Sequence, residues 1–166
     1  MSTPGETAAF LRRVRILQGL TQRDLLAVAE RLGERKLRKG QVLFREGDAG
    51  EEMFLVRHGT ILVSKAVTGR VEQVLARIGE GDFFGEMSLF GRAPRSATVQ
   101  ADTEVLLLVL DRENLQRLID MSPRAAAVFF QGLVHVFIER LRASGDLVAE
   151  VTRWGLEATG LDVETP

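Results

Sequence analysis

Glycine sets the rhythm of this chain. Between residues 35 and 110, short segments rich in Val, Leu, Ile and Phe are cut apart by turns at Gly40, Gly47 to Gly50, His58-Gly59, Gly69-Arg70 and Gly79 to Gly81. Turn signals about every ten residues around strands of this size leave few folds open, and they define a sandwich or barrel. The segments are 35–39, 42–45, 53–57, 60–66 and 71–78, then 96–101 and 104–110. About eight strands are expected in all.

Helical spacing flanks this block on both sides. Residues 1–9 hold Pro4, Gly5 and polar residues and read as a flexible arm. From Phe10 the apolar positions Phe10, Leu11, Val14 and Leu17, then Leu25, Leu26, Val28, Ala29 and Leu32, predict two helices broken near Gly19 and Leu20. Thr21, followed three residues later by Asp24, is an N-cap for the second, and Gly33 its stop. Arg12, Arg13 and Arg15 read as a solvated helix face rather than a basic patch for an acidic partner.

After the strands, Asp111 caps a short helix ending near Met121, and Ser122-Pro123 opens a longer one. Along it Phe130, Val134, Phe137, Leu141, Ser144, Val148, Val151 and Gly155 alternate spacings of four and three, a heptad seam that is weakest at Ser144 and Gly145, where a bend or fraying is expected. Val128, Phe129, Leu133, Val136 and Ile138 add a second apolar flank. A helix apolar on most faces is buried on most faces. One partner is its own sandwich; the other is expected to be a second copy, giving a homodimer through Phe130, Val134, Phe137 and Leu141.

The fold expected is therefore mainly β with flanking helices: an eight-stranded β-sandwich or jelly-roll barrel with N-terminal helices and a long C-terminal helix. Its divisions are an arm at 1–9, the β-roll with its helices at 10–122, the long helix at 123–155 and a tail at 156–166.

With 166 residues the chain supports one domain with a sizeable core. A net charge of −1 provides no global attraction to DNA or anionic lipid, and the absence of Cys excludes disulfides and thiolate metal sites. The local basic cluster Arg31, Arg35, Lys36, Arg38 and Lys39 has no interleaved aromatic for base stacking and reads as the outward face of an edge strand. The N-terminus lacks the basic and apolar regions of a secretory signal, and the longest strongly apolar run, 105–110, is far short of the roughly 20 residues that span a bilayer. A cytoplasmic location with no membrane partner is expected.

Chemistry concentrates in residues 82–99. Glu86 directly follows a glycine, and Arg95 lies nine residues later behind Pro94, with small residues beside both. A carboxylate accepts from the vicinal hydroxyls of a ribose, and a guanidinium offers a phosphate its planar fork of donors. Gly85 lets backbone approach a ligand closely, and residues 86–90 suit one helical turn. Taken alone, a Glu and an Arg at this spacing are also a surface ion pair worth about 0–1 kcal/mol.

Phe84-Gly85-Glu86-Met87-Ser88-Leu89 followed by Pro94-Arg95-Ser96-Ala97-Thr98-Val99 resembles the phosphate-binding cassette of the cyclic nucleotide-binding domain family, which includes catabolite-activator-type regulators and kinase regulatory subunits. Lys39-Gly40-Gln41-Val42-Leu43-Phe44-Arg45-Glu46-Gly47-Asp48 resembles the early strands of the same domain, so the likeness runs from about Leu11 to about Ile119. It implies that Glu86 takes the ribose 2′-hydroxyl and Arg95 the cyclic phosphate, with Gly85, Met87, Ser88, Ser96 and Ala97 lining the ligand. Ser88 stands where many members have Ala or Gly. The family habit of dimerising through the last helix supports the homodimer. Trp154 is the only Trp; it is either a lid stacking on the base or a terminal staple against the sandwich.

The expected function is that of a small sensor that binds cAMP in preference to cGMP and passes a helix movement to an unidentified effector protein. A ligand-free or altered-ligand dimerisation module of the same fold is the alternative. Only residues 155–166 follow Trp154, too few for the helix-turn-helix of DNA-binding relatives, so no DNA partner is expected. A cupin-type metal enzyme is disfavoured because the chain has only His58 and His135. No catalytic residue, metal or cofactor is expected. The hydroxyl of Ser96 reaches either a guanine amino group or the phosphate, so cAMP and cGMP are barely separated.

Overall fold

Two four-stranded antiparallel sheets lie face to face. One has the order β1 (Gly33–Leu37), β8 (Val105–Asp111), β3 (Glu52–His58), β6 (Phe83–Phe84); the other runs β2 (Val42–Phe44), β7 (Thr98–Ala101), β4 (Ile61–Thr68), β5 (Val71–Ile78). The structure is a computed structural model that describes the backbone of residues 1–69 and 71–159, and the side chains of the same residues except Val71 and 154–159. The eight-stranded sandwich with flanking helices is the architecture expected. The strand without a segment of its own in the sequence is β6, two residues long, which pairs Phe84 with Phe54 and Phe83 with Leu55.

The first sheet is a middle layer, apolar on both faces. Met53, Leu55, Leu108 and Leu110 turn towards the helices, whereas Phe54, Val56, Leu107 and Val109 turn towards the second sheet. Strands covered on both faces read as continuous apolar runs, which is what 53–56 and 105–110 are.

The N-terminal arm is a correction. Residues 4–11 form α1 (Pro4–Leu11), and Thr3 closes a capping box in which Glu6 N–H donates to Thr3 Oγ1 at 3.2 Å and Thr3 N–H to Glu6 Oε2 at 2.8 Å. Pro4 occupies the first turn, where its missing N–H is harmless. The cost of Gly5 is offset because Ala8 and Leu11 are fully buried. One 3₁₀ turn (Arg15–Leu17) follows, then α2 (Gln22–Ala29), with Thr21 and Asp24 as its capping box. The first helix expected to run through Leu17 is instead broken after Leu11, with only the 3₁₀ turn beyond it, and Gly19, at a φ of +99°, separates that turn from α2. Gly33 does not stop α2, which caps at Glu30; it opens β1.

The basic cluster is corrected in part. β1 is an edge strand, and Lys36, Arg38 and Lys39 are exposed. Arg35 is not outward: it shares the face of buried Leu37, pairs with Glu52 and lies 5.5 Å from the centre of the Phe54 ring.

After β6 come α3 (Glu86–Gly91), then α4 (Arg112–Met121), capped by Asp111 accepting from Asn114 N–H at 2.8 Å, and α5 (Pro123–Thr159). α5 is one helix through Ser144 and Gly145; Ser144 Oγ donates to the Arg140 carbonyl at 2.9 Å, and a single helical glycine costs only about 1 kcal/mol. It passes the expected boundary at 155 as far as Thr159, and the rest of the expected tail, residues 160–166, lies outside the described residues.

The two halves of α5 differ. Ala125, Ala126, Phe129 and Leu133 are buried against the N-terminal helices and the first sheet, and Gly132 lets the helix backbone close onto the Ile16 carbonyl, where a Cβ would overlap it. Ile138, expected on this flank, is instead 42% exposed. From Arg140 to Arg153 every residue is exposed. Of the expected dimer residues, Phe130 and Phe137 are half-buried on their own core, whereas Val134 and Leu141 are 53% and 72% exposed.

Candidate functional site

The turn from β6 into α3 puts a carboxylate under cover. Gly85 adopts a φ of +80°, and a Cβ there would lie 2.9 Å from Arg95 Nη1 and 3.1 Å from the Glu52 carbonyl. Glu86, the first residue of α3, is consequently 8% exposed and Ser88 2%. Arg92 ends the helix at a φ of +50°, in the left-handed region that favours glycine. Arg112 Nη2, at the start of α4, donates to the Ser88 carbonyl at 3.1 Å and braces the helix from outside the cavity.

Arg95 is 5% exposed, and every side of it is built. Its own peptide is clamped to the β2–β3 loop: Arg95 N–H donates to the Asp48 carbonyl and Gly47 N–H to the Arg95 carbonyl, both at 2.8 Å. Nη1 donates to the carbonyls of Glu52 at 2.8 Å and Gly85 at 3.2 Å. The guanidinium stacks 4.2 Å from the centre of Phe44, one of three mutually packed rings with Phe54 and Phe84. Gly50 leaves room for it, since a Cβ there would overlap Nε. Among the described residues no carboxylate forms an ion pair with Arg95, and its Nε is buried with no acceptor. Burial holds its pKa below the ordinary arginine value, opposed by the nearby Glu52 charge. A buried cation without a counterion is poised for an anion.

All seven expected ligand-binding residues, Gly85, Glu86, Met87, Ser88, Arg95, Ser96 and Ala97, line one cavity of about 540 Å³. That lies within the roughly 300–1,000 Å³ usual for small-molecule sites. Its floor is Phe44, Val63, Ala76, Ile78 and Val99, from both arms of the second sheet. Glu86 and Arg95 do not pair with each other, so the surface ion pair is excluded. The side chain of Trp154 lies outside the described residues.

The α5 helix closes the mouth with two adjacent residues the sequence did not single out. Arg140 Nη1 approaches Glu86 Oε1 at 3.4 Å, its Nη2 approaches the Phe83 carbonyl at 3.4 Å, and its guanidinium lies 4.7 Å from the Phe83 ring centre. Glu139 pairs with Arg15 of the 3₁₀ turn, whose charge lowers its pKa mainly through the hydrogen bond. Only their place beside the heptad seam marked them. Gly50 and Glu52 were equally silent, because their roles are a clearance and a carbonyl direction. His58 pairs with Glu80 at 2.7 Å on the surface, and neither it nor His135 lines the cavity.

A β-sandwich with a helix beside a buried carboxylate and a buried, unmatched arginine has the chemistry that suits a small anion. The model of the cyclic nucleotide-binding domain matches residues 34–122, more than half of the chain. This chain belongs to the cyclic nucleotide-binding domain family. A cAMP-dependent protein kinase regulatory subunit of Pyricularia oryzae is 36% identical over 110 residues, 66% of this chain but 27% of that one. The N-terminal domain of a transcriptional regulator from Streptomyces coelicolor A3(2) superposes with a TM-score of 0.71 at 31% identity, covering 84% of this chain and 94% of that one. A cAMP-binding acyltransferase from Mycobacterium smegmatis does so with a TM-score of 0.66 at 31% identity, covering 84% and 42%. The chain thus spans about a quarter of the length of the kinase subunit. Among the described residues no helix is long and apolar enough to cross a membrane.

Proposed function

We propose that this chain binds cAMP, in preference to cGMP, and works as a cytoplasmic regulatory module rather than as an enzyme. The observation that carries the reading is Arg95: a buried guanidinium with an unpartnered Nε and no counterion, on the wall of the cavity that also holds Glu86. In this reading the cyclic phosphate is the missing anion of Arg95 and the ribose 2′-hydroxyl donates to Glu86. Gly85, Met87, Ser88, Ser96 and Ala97 enclose the two. The preference for cAMP leans on relatives whose names carry that nucleotide. Trp154 acts as base lid or as staple.

Ligand binding shifts a conformational equilibrium only by its differential affinity for the two states. Glu86 is shared between the incoming hydroxyl and Arg140, so occupancy changes what holds α5, and the movement is read by an effector protein. Exposed Val134, Leu141, Val148 and Val151 at heptad spacing favour a second copy along the same helix.

The test is calorimetric titration with cAMP and then cGMP, on protein unfolded and refolded to strip carried-over nucleotide. Micromolar or tighter binding, weakened at least about 100-fold by Arg95→Ala, is expected from the loss of charge-assisted bonds worth about 1.5–3 kcal/mol each. No binding of either nucleotide leaves a ligand-free dimerisation module. In sedimentation, Leu141→Glu should convert the dimer to monomer without touching the fold; an unchanged mass places the second interface elsewhere.

A further inference from the structure

Two carboxylates act on Arg95, those of Asp48 and Glu52, and each is held by something else. Glu86, which lines the same cavity, faces Arg140. Asp48 accepts at Oδ2 from the Arg45 N–H at 2.8 Å. Glu52, whose own carbonyl already touches Arg95 Nη1, is gripped through both carboxylate oxygens by Arg35, at 2.9 and 3.2 Å. The side chain of Glu52 belongs to the same face of β3 as Phe54 and Val56, the face on which Arg95 lies. Both guanidiniums, Arg35 and Arg95, sit 5.5 Å from the centre of the Phe54 ring.

We infer that Arg35 is a decoy cation: by holding Glu52 in a two-bond fork, it keeps a neighbouring carboxylate off Arg95 and so preserves the arginine for an anionic ligand. This rests on the reading of the cavity as a cyclic nucleotide site. The Coulomb influences on Arg95 agree with the geometry, Glu52 favouring its charge and Arg35 opposing it. The Arg35–Glu52 pair is itself partly exposed, 41% and 31%, so it adds little to stability. Its consequence is felt at the buried neighbour. A guanidinium out of water without a counterion takes the closest carboxylate that is free to turn, because attraction rises as the dielectric falls. A fork matched to the planar carboxylate holds Glu52 in a way that a point charge does not.

The experiment is cAMP titration of the full chain and of Arg35→Gln, Glu52→Gln and the double variant, with melting curves to establish folding. Releasing Glu52 by Arg35→Gln should weaken cAMP binding about tenfold, the equivalent of 1.4 kcal/mol. Glu52→Gln should bind as tightly as the unaltered chain or more tightly. The double variant should return to within about twofold of the unaltered chain, since the freed competitor is gone. A role confined to packing gives the opposite: Arg35→Gln and the double variant weakened alike, which overturns the decoy. If Arg35→Gln does not fold, Glu52→Gln decides alone, and weaker binding by that variant overturns the inference. Binding by the unaltered chain with no change in Arg35→Gln defeats the decoy and leaves the site intact. No binding by the unaltered chain defeats both.

Discussion

The molecule has two apolar layers, and they are built to different standards. Between the helices and the first sheet lie Ala8, Leu11, Val14, Leu25, Met53, Leu118 and Leu133, all at 2% exposure or less and with no charge among them. Between the two sheets, Phe54, Val56, Ile61 and Leu107 are as deeply buried, yet the layer opens at one end onto half-buried Phe44 and Val63 and holds the guanidinium of Arg95. The first layer is closed because nothing has to enter it. The second carries a desolvated charge, which costs stability and which, on the proposed function, an anion repays. Stability and binding should therefore respond to different substitutions.

The strongest test of that division is Phe129→Ala, in the closed layer, expected to lower unfolding free energy by about 3–5 kcal/mol in denaturant melts. Gly132→Ala comes next. Its methyl would overlap the Ile16 backbone, and the strain of moving α5 is expected to cost about 1–3 kcal/mol, read as a lower melting temperature. Thr21→Ala removes the cap of α2 and should cost about 1 kcal/mol. The Thr21 hydroxyl is the main reason that the Asp24 pKa lies below its ordinary 3.8, so this contribution is complete above that pH and fades as pH falls through the lowered value. The gap between variant and parent should narrow in acid to what the Asp24 N–H bond to Thr21 Oγ1 supplies; a gap independent of pH would mean that the Asp24 carboxylate is not part of the cap. The smallest stability change is expected for Arg95→Ala, within about 1 kcal/mol, because two carbonyl hydrogen bonds are lost together with a desolvated charge. A loss as large as that of Phe129→Ala would erase the distinction between the layers.

Local chemistry made much of this readable in advance. Glycines at turns, the Thr21–Asp24 and Asp111 caps, Pro123 at the head of α5 and the Gly85-Glu86…Pro94-Arg95 spacing all act within a few residues of themselves, so they carry their meaning along the chain. The same locality misled at Pro4 and Gly5, where two residues that loosen a helix outweighed the Thr3–Glu6 capping box beside them. β6 escaped because two residues have no periodicity.

What the sequence determined by itself was the seven longer strand segments, the Thr21 and Asp111 caps and the presence of Glu86 and Arg95 in one cavity. Tertiary structure alone decided that Glu86 and Arg95 stay apart, that Arg140 reaches Glu86 from 54 residues away, that Arg35 turns inward to Glu52, and that Gly50 and Gly132 are clearances. These depend on which surfaces meet when the sheets close and α5 docks. Charge pairing and steric clearance across such surfaces are properties of distance in space, and nothing in the order of residues records that distance until the chain has folded.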